Sequence, residues 1–295
     1  MSSAPRSWKL LDILEETSRF FADRHIPDAR LQAELLLAAV LDLKRLDLYL
    51  QFDRPLDAGE VDRYRDCVRQ RLRRVPVQYI VGTAAFRHLE LSVTPAVLIP
   101  RPETEVLVDV ALERLADRSA PRCLDLCCGS GAIALSLAFE NERALVAASD
   151  ISQDALQIAR QNAERSGVSQ RIEWLCGDLF APLGDRLFDL IACNPPYVRH
   201  GDIATLEPEV RQHEPHLALD GGGDGLDFYR RICSDAGRFL APAAHIIMEI
   251  GHGQADDVVS MLDGTAQYEA VDVIADLNDI PRVIAAQRRV EIAHG

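Results

Sequence analysis

From Arg122 to the end of the chain, short apolar runs alternate with helical stretches, and the links between them are short. The runs fall at 122–127, 144–149, 171–175, 187–193, 243–250, 268–274 and 281–287, and the helical stretches at 131–140, 153–166, 224–240 and 253–262. A run apolar at every position has no polar face to turn to water, and strands of that kind are buried in parallel sheets with helices on both faces. The last two runs are separated only by Ala275-Asp276-Leu277-Asn278-Asp279-Ile280. A parallel crossover needs a dozen or more residues, so this pair must be antiparallel. The pattern predicts an α/β fold: a doubly wound, seven-stranded, mostly parallel sheet with one antiparallel strand.

The preceding residues follow a different period. Trp8, Leu11, Leu14, Phe20 and Phe21 recur at helical spacing over 7–24. A second helix is expected over about 28–42 with Asp28 as N-cap, a short third over 44–51, and a fourth over about 58–74. Asp57 and Glu60 stand in capping-box spacing at the start of that fourth helix. Its polar face carries Arg63, Arg65, Arg69, Arg71, Arg73 and Arg74; a solvated face is the expected reading, and a docking surface the alternative. Pro76–Gly82 and Ala85–Val93 lose the helical period and read as the strands of a β-hairpin. A helix is expected from Pro102 to about 117. The domains are drawn at 1–82 (a small helical bundle), 83–100 (a β-hairpin linker) and 101–295 (the sheet domain).

Composition narrows the function. The 295 residues carry a net charge of −14, split unevenly: 15 basic and 14 acidic residues lie in the first hundred, 17 and 32 in the rest. An acidic sheet domain is a poor general binder of phosphate backbones. No apolar run approaches a membrane span and the first residues show no signal-peptide core, so a cytoplasmic protein is expected. Seven irregularly spaced cysteines fit reduced thiols. Cys123, Cys127 and Cys128 find no partners at zinc-site spacing, nor do His213 and His216, so no metal is expected.

In open α/β sheets ligands bind outside the carboxyl ends of the strands. Four residues there, Asn194-Pro195-Pro196-Tyr197, follow the run Leu187–Cys193, and prolines, having no N–H, end the strand. The Asn194 side-chain oxygen and the Pro195 carbonyl could hold both hydrogens of a planar NH2 group, with the Tyr197 ring on its flat face. A plain strand-ending turn is the alternative. After the first strand, Leu124-Asp125-Leu126-Cys127-Cys128-Gly129-Ser130-Gly131 opens a helix; its glycines admit a close ligand, but the spacing is not that of a dinucleotide loop. Asp150 ends the next strand, placed to accept both hydroxyls of a ribose. Asp178, ending the third strand, could accept from an adenine amino group, with Leu179 packed on the base. Any one such Asp could be a turn or helix cap; three at successive strand ends argue for a site.

With Pro100-Arg101-Pro102-Glu103-Thr104-Glu105, Asp125–Gly131 and Asn194–Tyr197 in this order, the chain resembles the HemK/PrmC-type protein-(glutamine-N5) methyltransferases, which modify peptide chain release factors. The resemblance covers nearly the whole chain, including Pro76–Gly82, Glu214-Pro215, Ala218-Leu219, Asp224–Leu226, Tyr229-Arg230 and Glu249–Gly251. It implies a class I, Rossmann-like methyltransferase domain, S-adenosyl-L-methionine as donor with S-adenosyl-L-homocysteine as product, and a monomer. The acceptor it implies is the glutamine of a class I release factor's Gly-Gly-Gln loop. The cofactor would be held by Asp125, Cys127, Cys128, Gly129, Ser130, Gly131, Asp150, Asp178, Leu179 and Asn194, and the glutamine by Asn194, Pro195, Pro196 and Tyr197. The chain departs from the family at Cys127, where glycine is usual; a side chain there is expected to narrow the methionine end of the pocket. A ribosomal-protein glutamine is an alternative acceptor. A nucleic-acid amino methyltransferase sharing the tetrapeptide would need a basic groove that this acidic half lacks. A noncatalytic relic would show damage at Asp150, Asp178 or Asn194, and shows none.

Overall fold

In a computed structural model, which describes residues 8–290, the chain forms two compact units. The first seven residues of the predicted bundle and the last five of the predicted sheet domain lie outside the described residues.

The first unit runs to Thr83 and includes one later segment, Pro208–His213. Its helices are α1 (Leu10–Asp23), α2 (Ala29–Leu41), α3 (Arg45–Leu50), α4 (Ala58–Leu72) and α5 (Val77–Val81). In α1 the buried side chains Leu10, Ile13, Leu14, Thr17 and Phe21 follow the helical repeat onto one face. The capping box of α4 is formed: Glu60 N donates to Asp57 Oδ1 at 2.8 Å and Asp57 N to Glu60 Oε2 at 2.9 Å.

Three expectations are corrected in this unit. Asp28 does not cap α2 with its side chain; its backbone is left-handed, at φ 48°, and Gln32 Nε2 instead donates to Pro27 O. Pro76–Gly82 is not a strand but a single helical stretch, α5, begun by Pro76 and stopped by Gly82 at φ 86°, the conformation glycine adopts most readily. Arg71 does not belong to a solvated face. It is fully buried, its guanidinium donating to Gln32 Oε1 and, at 2.6 Å, to Glu209 Oε1. By contrast Arg65 and Arg69 pair in the open with Asp62 and Asp66.

The second unit starts at Ala84, inside the hairpin β1 (Thr83–Phe86) and β2 (Leu89–Ser92), whose turn places Arg87 at φ 50°. There follow α6 (Pro102–Arg114), β3 (Arg122–Leu126), α7 (Ala132–Glu140), β4 (Leu145–Asp150), α8 (Gln153–Arg165), β5 (Ile172–Cys176) and β6 (Phe188–Cys193). The chain then gives α9 (Pro208–His213) to the first unit. It continues through α10 (Asp227–Asp235), β7 (Leu240–Glu249), α11 (Ala255–Thr265), β8 (Tyr268–Ala275) and β9 (Pro281–Arg288).

The sheet order is β5-β4-β3-β6-β7-β9-β8. The first five strands are parallel, and β9 runs antiparallel to both its neighbours, as the six-residue link predicts. Side chains of β3 alternate between two cores: Cys123 faces the one built with α6, α7 and α8, while Leu124 and Leu126 face the one built with α10 and α11. Seven consecutive residues of α7, Ala132–Leu137 and Ala138, are buried, which explains a helix with no polar stripe. The order reverses at β3, between β4 and β6, and this is where an open sheet leaves a crevice at its carboxyl edge.

Candidate functional site

A cavity of about 310 Å³ opens at that crevice, a volume typical of small-molecule sites. The loop after β3 supplies Cys127, Cys128, Gly129 and Ser130, and the first turn of α7 adds Ala132 and Ile133. Asp150, Gly177, Asp178, Leu179, Asn194 and Pro196 complete the strand-end wall. Gly131 is not on the wall but sets the loop. It sits at φ 83°, and a Cβ there would collide with Leu135 Cδ1 and come within 3.3 Å of Trp174, so only glycine lets the loop turn into α7 at this depth. Cys127, at φ 59°, holds a left-handed backbone that glycine adopts without cost; its half-buried side chain does reach the cavity.

The three acids take three different places. Asp150 lies on the wall, accepting from Gly129 N at 2.8 Å and Ser152 N at 2.9 Å, so its carboxylate is rigid with lone pairs to spare. Burial raises its pKa against the pull of those donors. Asp178 lies two residues past the end of β5, on the wall, but it is exposed and engaged by Arg231 Nη2 at 2.6 Å. Asp125 is corrected: it is absent from the cavity wall and wholly buried beneath α7, where Oδ2 accepts from Ala134 N at 2.9 Å. There it fixes the helix start.

Burial pushes the Asp125 carboxyl up to about 8. An unfolded Asp loses its proton near pH ~3.9. Between these values the folded state holds a proton that the unfolded state has lost, so Asp125's contribution to stability is complete below pH ~4 and drains away as pH rises toward 8. Asp125→Asn keeps the acceptor for Ala134 N and carries no charge. Urea unfolding of the two proteins across pH 4–8 should show stability falling more steeply in the wild type, the variant gaining on the order of a few kcal/mol by pH 8. Parallel curves would refute the buried neutral carboxyl.

At the end of β6, register places Cys193 opposite Met248, so Asn194 and Glu249 are next neighbours across two strands. Asn194 Nδ2 donates to Thr104 Oγ1 at 3.2 Å, and Thr104 Oγ1 donates to Glu249 Oε2 at 2.6 Å. The amide nitrogen is therefore turned to the protein, and the side-chain oxygen is the end left for the cavity. The residues behind are locked. Gly221 passes so close that a Cβ would lie 2.8 Å from Tyr197 Cα and 2.9 Å from Pro196 O, and Gln254 Nε2 donates to Tyr197 O at 3.1 Å. The glycine-rich stretch 221–225 is the plate on which the corner rests.

Tyr197 stands beside this cavity rather than on its wall. Neither it nor Pro195 is among the cavity-lining residues. Its hydroxyl donates to Glu249 Oε1 at 3.2 Å and its ring packs into the α10–α11 core, a position that keeps it from lying flat in the cavity. Among the wall residues that sequence reasoning does not single out, four carry polar or aromatic side chains from two helices. Thr104 and Arg101 come from the start of α6, Arg231 and Phe228 from α10. Arg101 is held by Glu214 at 2.5 Å, joining two of the motifs that carry the family resemblance. His213 and His216 lie apart from any metal set: among the described residues no cluster of three candidate ligands exists. Among them, too, no helix is long and apolar enough to cross a membrane.

The donor set suits S-adenosylmethionine: a fixed strand-end carboxylate for vicinal hydroxyls, apolar Leu179, Ile151 and Phe228 for a flat base, and a glycine loop at a helix start. Fold and site together define a class I methyltransferase. Residues 104–222 match the family model "Methyltransferase small domain", and residues 12–82 match "PrmC N-terminal domain". A solved Pyrococcus furiosus methyltransferase shares the fold at TM-score 0.53 and 16% identity, covering 70% of this chain and 92% of that one. The Release factor glutamine methyltransferase of Geobacter sulfurreducens is 43% identical over 287 residues, 97% of this chain and 99% of that protein. That of Chlorobaculum tepidum is 41% identical, covering 93% and 96%. The chain belongs to the release factor glutamine methyltransferase family.

Proposed function

We propose that the chain methylates the side-chain amide nitrogen of the glutamine in the Gly-Gly-Gln motif of class I peptide chain release factors, in the cytoplasm and as a monomer. The observation that carries the reading is that Asn194 lines the cavity with its nitrogen committed to Thr104, which leaves its oxygen to accept from a ligand. When bound, S-adenosylmethionine supplies a methyl group on a sulfonium whose departure leaves a neutral thioether. Asp150 would hold the ribose hydroxyls and Leu179 would pack on the base.

A carboxamide nitrogen is a weak nucleophile because its lone pair is shared with the carbonyl. Asn194 Oδ1, on the cavity wall, and the Pro195 carbonyl, next to it in the chain but off that wall, would accept its two N–H groups and fix its direction. Those bonds strengthen as positive charge develops on the nitrogen, so they stabilise the transition state more than the bound substrate. Alignment contributes as well, out of the ~7–11 kcal/mol that proximity can supply. The alkylated amide cation is strongly acidic and sheds its proton without a dedicated base. Tyr197 supports this corner from behind. The first unit, which contributes no residue to the cavity wall, serves to recognise the protein substrate.

The test is radiolabel transfer from S-adenosylmethionine to purified release factor, to the factor with its loop glutamine changed, and to a short peptide bearing the loop. Label should appear on the unchanged factor, at a lower KM than on the peptide, and vanish with the glutamine. Label that persists on the changed factor would exclude the assigned acceptor.

A further inference from the structure

An amide side chain has two ends of nearly the same shape, and only one of them can receive a substrate NH2 group. What decides which end of Asn194 faces the cavity is a chain of hydrogen bonds that starts at a carboxylate. Glu249, at the end of β7, is buried with 1% of its surface exposed. Ionised, it can only accept: Oε2 takes the Thr104 hydroxyl at 2.6 Å and Oε1 the Tyr197 hydroxyl at 3.2 Å. A hydroxyl has one hydrogen. Thr104, having given it to Glu249, can only accept from Asn194, and it does so from Nδ2 at 3.2 Å.

We propose that Glu249, acting through Thr104, is the positioning residue that holds Asn194 with its oxygen toward the substrate amide. This rests on the reading of Asn194 as the amide acceptor. The buried carboxylate is costly on its own account, and its place beside the reacting corner is where such a cost would be retained. Glu249 touches no cavity volume itself, since the cavity wall includes Asn194 and Thr104 but not Glu249.

The charge of Glu249 is set by every element packed around it. Burial raises its pKa; the hydroxyls of Thr104 on α6 and Tyr197 after β6 and the Arg282 guanidinium on β9 pull it down, while Glu103 on α6 pushes it up. Tyr229 on α10 donates to its backbone oxygen at 2.9 Å, and Arg282 is itself paired with Asp276. Protonated Glu249 presents a donor. Thr104 can then accept from it and give its own hydrogen to Asn194 Oδ1, which turns the amide nitrogen to the cavity. There it would oppose the NH2 group it is meant to hold. Wild-type turnover should therefore fall as pH drops through the raised pKa of Glu249.

Glu249→Gln mimics the donor form at constant shape. At saturating substrate and cofactor it should lower kcat roughly 10- to 100-fold, the usual effect of losing an outer hydrogen bond that orients a working group. S-adenosylmethionine affinity by calorimetry should stay within threefold, which also shows that the variant folds. The acid limb of the kcat–pH profile should disappear. Thr104→Val should reproduce the loss, and Thr104→Ser, which restores the hydroxyl, should recover most of it. Wild-type kcat in Glu249→Gln, or an acid limb shared by both proteins, overturns the proposal. Asn194→Ala is assayed alongside. If it is inactive while Glu249→Gln is not, the relay alone fails; if it is fully active, the assignment of Asn194 fails and takes the relay with it.

Discussion

Asn194→Ala is expected to lower turnover by about 10²–10³-fold, the range found when one positioned hydrogen-bonding group is removed from a site of developing charge. S-adenosylmethionine affinity should change by less than threefold. The asymmetry follows from where the parts lie. Apart from Asn194 itself, the cavity that suits the cofactor is walled chiefly by the β3–α7 loop, by Asp150 at the end of β4 and by the 177–179 loop, while the Asn194 side chain bonds Thr104. Behind Asn194, the Thr104–Glu249 bond survives the substitution, because Thr104 loses only a donor to its lone pair. What vanishes is the one oxygen held toward the cavity. Single-turnover methyl transfer, read against calorimetric cofactor binding on the same preparation, separates the two quantities. An equal loss in both would mean that Asn194 holds the cofactor and that the amide is gripped elsewhere.

The strand ends were readable because each rests on local chemistry. Prolines after Cys193 stop a ladder, and Gly129 and Gly131 mark a loop open to a close ligand, in which both glycines take positive φ. The seven strands and the antiparallel β9 were legible from run lengths and from a link too short for a crossover. Partnerships were not. Thr104 reaches Glu249 across 145 positions, and the Glu249 hydroxyl partners come from two other elements, so no spacing rule could join them. Tyr197 reads from sequence as a ring for the flat face of an amide, and nothing in its position announces that a buried carboxylate accepts from its hydroxyl. Asp125 reads like Asp150, yet it stands within the strand rather than at its end, and alternation turns it under α7. Pro76–Gly82 failed for another reason: five residues are too few for a helical period to show, and β-branched Val77, Ile80 and Val81 favour the strand reading.

Arg71→Ala should destabilise the first unit by about 3–5 kcal/mol, the cost of stripping one partner from a buried ion pair. Its polar-face spacing hides this role. The guanidinium has 2% of its side chain exposed and bonds Gln32 in α2 and Glu209 in α9, a segment 138 positions away in sequence. Burial works against the Glu209 charge, but the bonds from Arg71 and Arg74 outweigh it and hold the carboxyl below its usual range. Arg74, at 3.2 Å, remains in the variant and keeps the expected loss toward the lower end. Because the folded pKa of Glu209 is depressed, its stabilisation is present above the ordinary carboxylate range and is lost as pH falls through that depressed value. Removing both charges is a different matter from removing one. Arg71→Met with Glu209→Leu leaves no buried ion stranded, only the partly exposed Arg74 without its partner, and it should recover most of the loss while abolishing that acid dependence. Trp8 belongs to the first unit and Trp174 to the second, so a Trp174→Phe background lets urea unfolding be followed in the first unit by Trp8 fluorescence. A loss under ~1 kcal/mol for Arg71→Ala, the scale of an exposed pair, would show that the pair is surface decoration. A double variant as unstable as the single would show that the guanidinium serves through packing and not through charge.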